Sequence, residues 1–544
     1  MPSALPTSSC RLGTAVVPWS ENRPPPTWAG TSLDKVPSAG RTGGPELAIG
    51  GREPRVGAGA AGATLDAPRE WGLALQTMRR RLASIVVAAA ALALPFAACG
   101  RSRSPNVVLI VVDSLRADAL GPHGTEPSVS PSIDRLASEG LRFERAEAPA
   151  SWNLPSLSSL VTSTYPWVHG QGAPASGEAE VATLAEVYSR AGYRTGAFAE
   201  VTWPLLERGF GVFENTAGSD LFGDPRGNSA AKTFAAALAW VKKDEAQPFF
   251  LLVHTYEVHS YFLGKPAHHA FARKALPAYD GPFREWGIRD LSKPAGPQVI
   301  EALMKASPED LAYVRALYRG AVAELDRELG RFADALAAAG LDGRTVLVLT
   351  STNGEGFRPD LARVHHGGRL QDDVLHVPLF LRWPGHLEPG VSNALVGTLD
   401  VAPTLVRLAG LPDEPLFAGR PLVAADTSFL SRFRAPRFRL RDLPQQPVVA
   451  EEATFRILPS GQREAATAPQ FALYSEWASL IVDGDKVQLY DLKDDPGQEK
   501  DLAASRPDVA KALREQLRRL TAGAGRAGPD AAQLQQLRSL GYVQ

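Results

Sequence analysis

Asp113, Asn153 and the pair His268-His269 are the side chains whose type and setting first suggest chemistry. Asp113 follows the run Asn106-Val107-Val108-Leu109-Ile110-Val111-Val112. An unbroken aliphatic run without polar alternation reads as a strand buried on both faces, as at the centre of a parallel sheet. The carboxylate then emerges at the carboxyl end of that strand, where open α/β sheets bind ligands. The alternative is that Asp113 and Ser114 cap a helix beginning near Leu115. Asn153 stands just ahead of a helix started by Pro155, with Leu157, Leu160 and Val161 on one face. The positive end of that helix dipole suits an anion or an activated oxygen. His268-His269 fall in an irregular, Pro- and Gly-bearing stretch from Phe262 to Ser307. Loops of that length in a compact domain are usually functional or mobile, so this one is expected to cover the strand ends as a substrate-facing lid.

The elements that must position these groups read as a large α/β domain with a smaller one after it. The stretch Pro131 to Gly140 is a short helix closed by glycine. Pro308 to Ala339 is a long amphipathic helix with Leu311, Val314, Leu317, Tyr318, Val322, Leu325 and Leu329 on one side, a packing pattern rather than a chemical one. Beyond about Phe429 a Pro-, Arg- and Gln-rich linker leads to strand-like Phe471 to Leu480 and Lys486 to Tyr490, then a helix from Pro507 to Ala522. Residues 429–544 are therefore expected to form a small C-terminal α+β domain, and 105–428 the main one.

A chain of 544 residues, 44% hydrophobic and 22% charged, can bury a sizeable core. Its formal net charge of -1 offers no field that would draw in nucleic acid. Residues 1–77 are rich in Gly, Pro, Ala and Ser without apolar periodicity and are expected to be disordered or an upstream leader. Met78-Arg79-Arg80-Arg81, an apolar Ala-rich core from Leu82 to Pro95, and Phe96-Ala97-Ala98-Cys99-Gly100 then have the three-part layout of a secretory signal, 78–99. A Cys after small residues resembles a lipobox, so lipidation of Cys99 would hold the protein at the cell envelope. Ordinary secretion and an uncleaved anchor remain open, although the apolar run is short for a span of about 20 residues. The cysteines are Cys10 and Cys99, which leaves the body after the signal without disulfides, thiolate metal sites or cysteine catalysis.

Several stretches together resemble the bacterial sulfatase family of the alkaline-phosphatase-like superfamily. They are the strand ending Asp113-Ser114-Leu115-Arg116-Ala117-Asp118, then Pro131-Ser132-Ile133-Asp134-Arg135-Leu136-Ala137, then Trp152-Asn153-Leu154-Pro155-Ser156 with Tyr165-Pro166-Trp167-Val168-His169-Gly170. Ala191 to Gly196, Pro248 to Tyr261, Thr345 to Glu355, His366-Gly367-Gly368 with Val377-Pro378-Leu379, Asp400 to Leu405 and Leu489 to Pro496 continue it, and the final Gln533 to Gln544 resembles the subfamily's tail. The resemblance implies a large, mostly parallel central sheet flanked by helices. It also implies hydrolysis of a sulfuric or phosphoric ester with a divalent cation, calcium foremost, and a small anionic ester or sulfated glycan as ligand.

Carried over residue by residue, the resemblance puts Asn153 in the nucleophile position, where the family has Cys or Ser for conversion to formylglycine, or Thr. An amide can do neither, so formylglycine is impossible at Asn153. Asp113, Ser114, Thr352 and Asn353 fall at the metal positions, with Thr352 in place of an expected Asp. Arg116, His254, His259 and His366 fall at pocket positions. Leu157 stands where the Pro-Ser-Arg form has Arg, and Glu200, Val201 and Thr202 stand at the place of the family's Lys-Trp-His element. With Asp113 the only anion among the matched metal positions, weak or absent metal binding is expected. His123 and His169 read as packing or loop residues, and Ser151 and Ser156 as helix caps. The leading expectation is a sulfatase-fold protein without hydrolysis. An active sulfatase or phosphodiesterase with an unorthodox metal shell or nucleophile, and an envelope scaffold with a relic pocket, stay open beside it.

Overall fold

A computed structural model describes residues 104–171, 181–217, 229–288, 295–427 and 436–522, with breaks at 454, 458–462 and 466–467. The leader, the signal with Cys99, and the tail from Gln533 lie outside the described residues.

Eight strands form the main sheet. They are β1 (Asn106–Val112), β2 (Leu141–Glu147), β3 (Arg194–Ala199), β4 (Val212–Asn215), β5 (Phe249–Thr255), β6 (Thr345–Ser351) and the strands Leu379–Arg382 and Gly390–Gly397. The order across the sheet is Gly390–Gly397, β2, Leu379–Arg382, β6, β1, β5, β3, β4. β1 runs parallel to both neighbours, with Ile110 opposite Val253 of β5 and Leu349 of β6. Only Leu379–Arg382 runs antiparallel to the strands beside it. Every residue of β1, β5 and β6 is buried, as continuous apolar strands covered on both faces must be. Val108, Ile110 and Val112 pack with Leu251 and Leu349 towards Val314, Leu317 and Leu325 of the helix Pro308–Ala338. Val107, Leu109 and Val111 face Leu157 and Leu160 of the helix Asn153–Thr162 and Leu405 of the helix Val401–Leu408.

The stretch expected to be a lid is largely helical core. It folds as a 3-10 segment His259–Leu263, a helix Pro266–Ala275, a 3-10 turn Pro282–Glu285 and a helix Ala295–Met304. Pro266 and Pro282 occupy first-turn positions, where proline starts a helix rather than breaking it. Phe262, Ala272, Phe283, Val299, Ile300 and Leu303 join the core beneath the sheet. His268 and His269 are buried in the first of these helices, His268 Nε2 lying 3.1 Å from Glu257 Oε1. After β1 there is no helix at Leu115 for Asp113 and Ser114 to cap, only 3-10 turns at Ala117–Ala119 and Gly121–His123.

In the C-terminal region Val448–Glu452, Gln470–Tyr474, Ala478–Asp483 and Lys486–Asp491 form a four-stranded antiparallel sheet, so the expected single strand 471–480 is two strands joined at a turn. Ala510 and Leu517 of the helix Pro507–Leu520 pack on it. This sheet also steadies the loop ahead of Asn153: Glu451 N–H donates to the Pro149 carbonyl at 2.9 Å and Ser151 Oγ to Glu452 Oε2 at 2.6 Å. Among the described residues no helix is long and apolar enough to cross a membrane.

Candidate active site at the strand ends

Parallel pairing of β1 with β5 and β6 brings the three strand ends to one place. Asp113 N–H donates to the Thr255 carbonyl at 3.0 Å, and Thr352 N–H to the Val112 carbonyl at 3.1 Å. The Thr352 hydroxyl donates to Asp113 Oδ1 and also lies 2.8 Å from Asn353 Oδ1. Asn353 Nδ2 donates to Ser114 Oγ at 3.3 Å, and Ser114 Oγ lies 3.4 Å from His366 Nδ1. The four positions expected to bind metal are therefore together, joined in one hydrogen-bonded chain.

Asn153 is the first residue of its helix, not the residue ahead of it, and Pro155 is the third. Neither serine caps that helix. Ser151 is turned to Glu452, and Ser156 Oγ donates to the Ala150 carbonyl at 2.8 Å. The helix start is set instead by extended Trp152 and the clasped loop before it. Asn153 Nδ2 donates to the Tyr256 hydroxyl. Neither ring nitrogen of fully buried His254 has a hydrogen-bond partner among the described residues. The half-buried His259 ring lies 4.9 Å from Tyr256 and 5.1 Å from His366. His169 Nε2 meets Ser159 Oγ at 2.9 Å, and His123 packs beside Phe380, as structural histidines do.

Arg116 points elsewhere. Its guanidinium forks onto Asp118 at 2.6 and 2.7 Å and donates to the Glu355 carbonyl at 2.6 Å. It lines a separate 610 Å³ cleft with Arg315, Tyr318, Arg358 and Arg363. The expectation that Arg116 faces the Asp113 pocket is corrected: Tyr318, whose hydroxyl bridges Ser114 O and Arg116 N at 2.7 and 2.9 Å, fixes the turn that directs it away.

Two groups at the site escaped the residue-by-residue reading. Glu355 faces His365 and His366, with Oε1 3.4 Å from His365 Nδ1 and Oε2 3.0 Å from His366 Nδ1. The consecutive His365-His366 so soon after a Gly-Glu pair was the available signal. Glu200, noted only as a departure, is a buried hub: it accepts from Thr233 Oγ1 (2.8 Å), Thr255 Oγ1 (3.0 Å), Ser229 N (3.2 Å) and Tyr256 N (2.8 Å).

Burial pushes the Asp113 carboxyl up to about 7, with the Thr352 hydroxyl pulling down and the Glu355 charge pushing further up. Burial would raise Glu355 as well, but the charges of His365 and His366 outweigh it and hold Glu355 below the usual carboxylate range. Gly354 leaves no room at the turn between them, since an added Cβ would sit 2.3 Å from the Asp373 carbonyl. Gly354→Ala is expected to destabilise the protein by about 1–3 kcal/mol, read as a lowered urea midpoint with unchanged slope.

Residues 105–411, more than half of the chain, match the Sulfatase family. The chain belongs to the sulfatase family. It is 26% identical over 486 residues to human arylsulfatase A, spanning 76% of this chain and 87% of that one. To the N-acetylgalactosamine-6-O-sulfatase of Bacteroides thetaiotaomicron it is 23% identical, over 76% of this chain and 93% of the relative. Among solved structures, the phosphonate monoester hydrolase of Agrobacterium radiobacter aligns with a TM-score of 0.57 at 21% identity, covering 77% and 96% of the two chains. A protein solved with its substrate D-glucosamine-2-N,6-O-disulfate aligns at 0.58 and 17% identity, covering 77% and 98%. These structures share the fold.

Sulfatases typically bind a divalent metal. The strand-end set of this sulfatase does not fit a hard cation. Calcium takes about 6–8 oxygens, carboxylates prominent among them. Here Asp113 is the only acid of the four, its oxygen accepts from Thr352, and burial drives it towards the neutral form.

Proposed function

We propose that this sulfatase-family chain has lost ester hydrolysis and serves at the cell envelope, held through a lipidated Cys99, as a binder of sulfated or other anionic sugar esters. The observation that carries this reading is Asn153. Its side chain stands at the start of the helix Asn153–Thr162, and its amide donates to the hydroxyl of Tyr256, the residue that follows the end of β5. An amide has no ionisable oxygen with which to attack sulfur or phosphorus. The burial of Asp113, Ser114, Asn153, Thr352 and Asn353, each at most 3% exposed, supports the same reading, because no oxygen of this set is presented to solvent. The ligand class draws on two of the similar proteins, one named an N-acetylgalactosamine-6-O-sulfatase and one solved with its substrate D-glucosamine-2-N,6-O-disulfate. The half-buried His259 is the donor such an anion would meet at the edge, with the buried His366 beside it.

The full-length protein is expected to show no turnover of aryl sulfate or bis-aryl phosphate above buffer with calcium, manganese or zinc added. The Asn153→Thr/Thr352→Asp double variant, which restores a hydroxyl nucleophile and a second carboxylate, is expected to gain measurable phosphoester hydrolysis. Turnover by the unmodified protein at rates near those of working relatives would refute the loss of hydrolysis. A second reading, turnover with an unorthodox metal shell, is favoured by one observation, the Glu355, His365 and His366 group.

A further inference from the structure

We infer that Glu355, His365 and His366 form a binding site for a borderline divalent cation of the zinc class, separate from the carboxylate position at Asp113. The three residues are 0%, 2% and 4% exposed and each offers one donor atom, all within 4.8 Å of one another. A tetrahedral ion with bonds of about 2.0–2.1 Å places neighbouring donors about 3.3 Å apart. The shortest carboxylate-to-imidazole approaches, 3.4 Å from Oε1 to His365 Nδ1 and 3.0 Å from Oε2 to His366 Nδ1, are close to that spacing, each through a different oxygen.

The backbone is bent to bring the two imidazoles together. Successive side chains of an extended strand point to opposite sides, yet the rings of His365 and His366 lie 4.0 Å apart. The cause is His365, a non-glycine residue at φ +62°, a conformation that costs free energy and collects at functional sites. The paired hydrogen bonds Gly356 N to His365 O (3.1 Å) and His365 N to Gly356 O (2.9 Å) hold it there. Glu355 is oriented in turn by the Gly356 N–H, 3.1 Å from Oε1.

Two imidazoles and one carboxylate make a donor set suited to zinc, with a fourth position left for a non-protein ligand. The same set is too small and too nitrogen-rich for calcium or magnesium. The nearest groups on the remaining side are Ser114 Oγ, 3.4 Å from His366 Nδ1, and the His259 ring, 5.1 Å from that of His366. An ester oxygen of the anionic ligand proposed above would complete the shell there. That last assignment rests on the proposed function; the cation site does not.

The test is titration of Zn²⁺ into the chelator-treated full-length chain by calorimetry, with bound metal counted by elemental analysis. One zinc per chain is expected, not displaced by a hundredfold excess of Ca²⁺. Glu355→Gln and His366→Ala are each expected to weaken binding by at least about 100-fold, while Asp113→Asn changes it less than about threefold. Circular dichroism shows whether the variants are folded. Should they not fold, Co²⁺ absorption of the unmodified protein decides, because a tetrahedral N/O site gives intense visible bands and an octahedral one only weak bands. No zinc uptake, a weak octahedral spectrum, or binding lost in Asp113→Asn and kept in Glu355→Gln would each overturn the assignment. Ester turnover in the unmodified protein would refute the loss of hydrolysis and leave this site standing, so the two failures are distinguishable.

Discussion

Glu200→Leu is expected to destabilise the protein by about 3–5 kcal/mol, the order reached when several buried donors lose one shared acceptor. Glu200 is fully buried and its two oxygens take four donors: the hydroxyls of Thr233 and Thr255 and the backbone N–H groups of Ser229 and Tyr256. Leucine fills a similar volume but leaves all four without an acceptor, and each unmet buried donor costs about 1–3 kcal/mol before the structure relaxes. Burial raises the Glu200 carboxyl above its usual range while the Tyr256, Thr233 and Thr255 donors pull it back. Glu200→Gln, which keeps one oxygen acceptor, is therefore expected to cost roughly half as much. The effect reaches the site, because the Tyr256 N–H held by Glu200 sets the end of β5, and the Tyr256 hydroxyl meets Asn153. Urea unfolding reads the global cost, and amide exchange across residues 249–257 reads the local loosening. A loss below about 1 kcal/mol in Glu200→Leu would show that Glu200 is not the anchor described.

The second large effect is an acid sensitivity centred on His254. Burial lowers its pKa from 6.5 to about 3, with a smaller contribution from the charge of His259. A folded-state value below the unfolded one means that the neutral ring contributes stability above pH 6.5. That stability is lost as pH falls from 6.5 towards 3, where the unfolded chain takes up a proton that the folded chain refuses. At 1.36 kcal/mol per unit, the loss over the whole window is on the order of 5 kcal/mol. His254→Phe keeps an aromatic ring, removes two nitrogens that have no partner among the described residues, and is expected to change stability at pH 7.5 by less than about 1 kcal/mol. Urea midpoints at pH 7.5, 5.5 and 4.5 for both proteins isolate the term, since other groups titrate equally in each. A parallel decline in the two would show that His254 is not the group responsible.

Much of this molecule was legible in local patterns. β1 was readable as a doubly buried strand because six consecutive aliphatic residues without alternation can be satisfied only with both faces covered, and the long helix from Pro308 announced itself through its apolar stripe. The stretch from Phe262 to Ser307 was misread because prolines looked like breaks, when Pro266 and Pro282 begin helical turns and the apolar residues between them are core. Arg116 was misassigned for a related reason: position beside Asp113 in the chain says nothing of direction once Ser114 takes φ +61° and Tyr318 fixes the turn.

By itself the amino-acid order determined the α/β class, the family resemblance, and the identity of the side chains at the strand ends, including an amide where an attacking oxygen is needed, because strand burial and residue type are local properties. Only the tertiary structure decided which groups meet. Glu355 with His365 and His366, Glu200 with four donors from two segments, and Tyr256 with Asn153 are brought together by the packing of the chain and by one left-handed residue. The last two are long-range constraints, which no window of sequence contains; the first lies within twelve residues but depends on a backbone turn that residue types alone do not specify.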